Sequence, residues 1–196
     1  MSLILSGMVN ICQLVAGIPT FLYLDKVGRR KLAIGGGLAM AVPHIIEAGI
    51  VGNFSSNWPS NPGMGWFGVA LVYLYVLAYA GSYGPLAWTL PAEIFPSSRR
   101  AKGVGLATAM IWLANFVIGL VVPPMISDIG WGTFLFFGIF CLLAAAFSWL
   151  FVPETAHKSL EQIGQLFGDG SGSTAEQELQ ERIESAIFAQ NTQALV

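Results

Sequence analysis

The sequence predicts an all-α, polytopic membrane protein with about five transmembrane helices. Three observations lead there. Only 10% of the 196 residues are charged, where a soluble domain carries about 25%. The mean hydropathy is +0.66. The charges are also clustered, leaving uncharged stretches over 1–24, 32–46, 48–92, 103–127 and 129–153. About 20 apolar residues cross a bilayer as a helix. These stretches lack the period-2 alternation of strands, and an open sheet cannot satisfy its backbone in lipid. The net charge of -2 gives no argument for nucleic-acid binding.

The first span is expected over 3–24. It carries two amides, Asn10 and Gln13, which are i, i+3 neighbours on one helix face. The apolar run is too long, and too poor in basic residues at its start, for a cleavable signal. "DKVGRRK" (Asp25 to Lys31) then makes a tight turn at Gly28. Its arginines present planar forks to carboxylates or lipid phosphates.

The second span, 32–52, holds His44 and Glu47, i, i+3 apart after Pro43. At 1.5 Å rise per residue Glu47 lies about 24 Å from the basic loop. An exposed pair at headgroup level is the expected reading, and a proton relay is the alternative. The loop 53–65 contains the sequon Asn53-Phe54-Ser55, close to the bilayer.

The third span, 66–91, is broken by Gly81, Gly84 and Pro85. Such breaks free backbone groups to face a cavity. Trp88 follows, and its indole ring suits a sugar face. Glu93 ends the span between Pro91 and Pro96, where a carboxylate needs a partner. Arg29, Arg30, Arg99 and Arg100 are the available cations, so a salt-bridge latch is expected between the two basic loops.

Spans four and five are expected over 103–126 and 131–152. Glu154 follows the fifth and joins the expected latch. The two basic loops hold seven of the nine Lys and Arg, which puts them and the C-terminus in the cytoplasm. Residues 1–163 form the bundle, and 164–196 a polar cytoplasmic tail, expected as a partly ordered acidic segment, with a short helix capped by Thr174 and bearing Leu179, Ile183 and Ile187 as the alternative. Cys12 and Cys141 are expected as small packing residues. No Ser/His/acid set, phosphate loop or metal spacing is present, so neither an enzyme nor a cofactor or metal protein is expected.

The segments "GMVN", "DKVGRRKL", "GPLAWTLPAEIFPSSRRAKG", "WLANF" and "VPETAHKSLEQI" occur in an order that resembles the C-terminal part of a major facilitator superfamily sugar porter, most closely the fungal members. The resemblance implies that the five spans are helices eight to twelve of about twelve, forming most of the C-terminal half. The first seven would lie outside this chain. It implies transport of a sugar or related polyol by alternating access across the plasma membrane, either coupled to protons or facilitative. Gly84, Pro85, Trp88, Trp112 and Asn115 match the family's substrate-facing positions, together with Asn10 or Gln13. Asp25, Arg29, Arg30, Glu93, Arg99, Arg100 and Glu154 are expected as the gating salt bridges of the latch.

Three positions depart from the family pattern: Ala80 where an acid is common, Ile111 where an amide is common, and Ala156-His157 after the final Pro-Glu-Thr. On this reading the chain is inactive alone and needs the N-terminal helices or an oligomeric partner. A non-transporting sugar sensor and a small structural membrane protein are the alternatives.

Overall fold

The computed structural model describes residues 2–95, 99–154 and 181–183. The order is α1 (Ser2–Val27), α2 (Arg29–Phe54), a 3-10 segment (Ser55–Ser60), α3 (Pro62–Ala80), α4 (Tyr83–Ile94), α5 (Arg100–Asp128) and α6 (Trp131–Phe151). Among the described residues there is no strand. Five segments are long and apolar enough to cross a membrane, because α3 and α4 run as one span from Pro62 to Ile94.

The helix ends follow local chemistry. Gly28 stands between α1 and α2 with φ 91°, where a side chain would be strained. Pro62 opens α3, where its missing N–H costs nothing. Phe95 turns extended after Ile94, as expected of a residue that precedes a proline. Gly130, at φ 55°, turns α5 into α6. α2 reaches beyond the predicted 32–52 because long basic side chains at a helix end carry their charge out of the apolar layer.

The centre of the bundle is α2, packed antiparallel to α6. Gly37 faces Ala145, Gly138 faces Ile45 and His44, and Gly52 faces Trp131. A Cβ on Gly37 would sit 2.8 Å from the Ala145 methyl, so the backbones approach as closely as small residues permit. α3 covers a second side of α2. α1 and α5 flank this core, and their apolar windows are 0% buried against 44% for α2.

Candidate functional site

At the basic-loop end, four helix ends meet on Arg29. Its Nε donates to both Glu93 oxygens at 3.1 and 3.2 Å, and its Nη2 donates to Glu93 Oε1 at 2.6 Å. The same Nη2 lies 2.6 Å from Asp25 Oδ1, one turn back at the end of α1. The Arg29 backbone N–H donates to Glu154 Oε1 at 2.8 Å. A carboxylate from beyond α6 thus caps the N-terminus of α2, where the helix dipole favours negative charge. Arg29 is only 8% exposed. Removing one partner of such a pair strands a buried charge at about 3–5 kcal/mol, well above a surface ion pair.

The other arginines do different work. Arg30 Nη2 donates to the Trp149 carbonyl of α6. Arg99 is exposed at the N-cap of α5, and Arg100 Nε donates to the Phe95 carbonyl at 3.4 Å.

The break in the third span falls at Gly81–Ser82, with Gly84 and Pro85 in the first turn of α4. Pro85 therefore lacks only an N–H that would be unpaired anyway. Ser82 is 2% exposed, and its Oγ donates to the Ala78 carbonyl at 2.6 Å. A Cβ on Gly36 of α2 would overlap the Ser82 side chain. Tyr83 Oη lies 3.3 Å from Ser148 Oγ of α6. The break is therefore clasped by α2 and α6. Reading the sequence missed this clasp, although Gly35-Gly36-Gly37 within one span marks a place for close approach.

The predicted sugar-facing residues are on open surfaces. Asn10 and Gln13 line a groove of about 520 Å³ whose wall comes from α1 alone. Trp88 is 52% and Trp112 65% exposed, on α4 and α5, and Asn115 is exposed one turn beyond Trp112. The α1 groove brings the two amides together and does not include either Trp or Asn115.

His44 and Glu47 depart from the expected exposed pair. Glu47 is 9% exposed. The reason is packing: α3 covers this level of α2, and side-chain-free Gly68 leaves room for the carboxylate. His44 stacks on Tyr75 with centroids 4.4 Å apart and stands near Phe134 and Phe137. No hydrogen bond joins His44 to Glu47 among the described residues. Ala156, His157 and the predicted tail helix after Thr174 lie outside the described residues, apart from 181–183.

The family model for "Sugar (and other) transporter" matches residues 1–167. An MFS glucose transporter of Aspergillus flavus is 34% identical over 181 residues, 85% of this chain and 34% of the relative. High-affinity glucose transporter 1 of Candida albicans is 32% identical, covering 85% and 33%. Among solved structures, the proton:xylose symporter XylE of E. coli, bound to 6-bromo-6-deoxy-D-glucose, matches with TM-score 0.71 and 31% identity over 84% of this chain and 34% of that one. The chain spans about a third of the length of the curated relatives it matches. These matches, with five membrane-length helices, make it an integral membrane protein.

Proposed function

Because the chain belongs to the sugar (and other) transporter family, we propose that it forms part of a carrier that moves a sugar or related polyol across the plasma membrane by alternating access. The observation that carries the proposal is the exposure of three amides and two indoles: Asn10 and Gln13 on α1, Trp88 on α4, and Trp112 and Asn115 on α5. Asn10, Gln13 and Asn115 are unfavourable against lipid, where amides find no partner. They suit a water-filled path lined by donors and acceptors, with Trp88 and Trp112 as apolar walls for a sugar ring. Further helices packed over α1 and α5 would enclose that path. Ile111 leaves the wall drier than an amide would.

In this reading Arg29, with Asp25, Glu93 and Glu154, is the latch at the cytoplasmic end. It holds one conformation and releases in the other. Arg30, Arg99 and Arg100 support the same end. The C-terminus is then cytoplasmic, in keeping with the basic loops. A proton is the coupling ion, as it is for the proton:xylose symporter.

The test uses cells lacking hexose uptake. The chain is expressed alone, and with the N-terminal two thirds of the Aspergillus relative. Glucose or polyol uptake is expected only from the pair, and Trp112→Ala should abolish it. Equal uptake by the chain alone would remove the need for an enclosing bundle. Full uptake by the Trp112→Ala pair would remove the sugar wall.

A further inference from the structure

We propose that Glu47 and His44 form a proton-binding site inside the bundle, set apart from the Trp and amide face. The pair opens onto a cavity of about 210 Å³ between α2, α3 and α6, walled also by Leu71, Tyr75 and Phe134. Glu47 is 9% exposed, and its Oε2 is buried without a hydrogen-bond partner. An ionised carboxylate with an oxygen shut from water and unpaired costs several kcal/mol. The chain nevertheless keeps room for this group. A Cβ on Gly68 would lie 2.8 Å from Glu47 Oε1, so any larger residue there would displace the carboxylate.

The chemistry of the cavity points to a proton. It offers one carboxylate and one imidazole, too few donors for a tetrahedral metal ion. On α3, Tyr75 is the titratable group facing the cavity. From α6 the cavity takes Phe134. Among the described residues no Lys or Arg lines it. A hydronium ion gives its proton to the His44 imidazole and leaves water behind; the imidazolium then gives a proton to Oε2, an O–H bond forms, and the buried charge is cancelled. His44, one turn away on the same helix, is the group that passes the proton. Its imidazole accepts a proton at one nitrogen and returns to neutral when Oε2 takes one.

The site is tested without any transport measurement. The full chain, purified into nanodiscs, is examined by infrared spectroscopy at neutral pH. Wild type should show a carboxylic-acid carbonyl band that Glu47→Gln lacks. Identical spectra would overturn the proposal. Should Glu47→Gln fail to fold, wild type answers by itself. Dicyclohexylcarbodiimide reacts with protonated carboxyls in apolar surroundings, and mass spectrometry should find the adduct on Glu47. Its absence there would equally overturn the site. His44→Phe should keep the band and slow its shift on transfer to heavy water. An unchanged rate would remove His44 from the path.

Discussion

α2 and α5 are apolar helices of 26 and 29 residues, yet one is the core and the other a flank. The difference is side-chain size. α2 turns Ala33, Gly36, Gly37, Ala41 and Ala48 into its interfaces. α5 holds Trp112, Phe116 and Leu120 at 65%, 64% and 61% exposure. Between apolar helices in lipid there is no hydrophobic drive, so close backbone approach decides which surfaces join. Bulky side chains leave a face open for something else to cover. Packing is therefore written in small residues, and the candidate sugar wall in large ones.

The starts of the two helices give the sharpest way to break that comparison. Arg29 opens α2 buried among carboxylates, whereas Arg99 stands exposed before α5. Arg29→Ala should cost about 4 kcal/mol, seen as a large fall in melting temperature in detergent. Arg99→Ala should stay within about 0.5 kcal/mol. Equal effects would show that the Arg29 cluster does not hold helix ends together.

Next come the glycines. Gly37→Leu drives a side chain into Ala145 and the Cys141 carbonyl, and should cost about 3 kcal/mol. Gly119 on α5 has nothing within 4 Å of a Cβ. Gly119→Leu should be neutral, or stabilising by about 0.5 kcal/mol through helix propensity. Thermal melting followed by size-exclusion chromatography reads both.

Gly28→Ala should cost about 2 kcal/mol, because it places a side chain at positive φ against the Glu154 carboxylate. Pairing it with Glu154→Ala should recover part of that loss if the clash contributes, and none if backbone strain alone does. The smallest expected change in stability is at Trp112. Trp112→Ala should shift melting by less than about 0.5 kcal/mol while abolishing uptake in the paired expression. A large stability loss would mean that α5 is held by contacts its open face does not display.

The spans were legible because charge is scarce. In a chain this apolar, the two basic clusters mark helix ends. The Arg29–Glu93 pair was legible for the same reason, since few cations were available to Glu93. Glu154 was expected at this end, but no spacing rule indicates that it would cap a backbone N–H 125 residues away. The burial of Glu47 was not legible either. A helix apolar on every side has no preferred face in its sequence, so only Gly68, on another helix, marks where the carboxylate lies. The break, expected over Gly81, Gly84 and Pro85, narrows to Gly81–Ser82 because proline is at home in a first turn.

The cap on α2 has a consequence for how the chain is made. Translation delivers α2 well before Glu154. While the intervening helices emerge, the first N–H groups of α2 lack that acceptor. Glu93, 64 residues after Arg29, arrives first and can settle the side chain. The backbone N–H of Arg29 waits for α6 to cross the membrane. Biogenesis therefore includes fastening a later segment onto an earlier one. A chain stalled before residue 154 would hold the five membrane-length helices of the described residues and still have α2 open at its N-terminus.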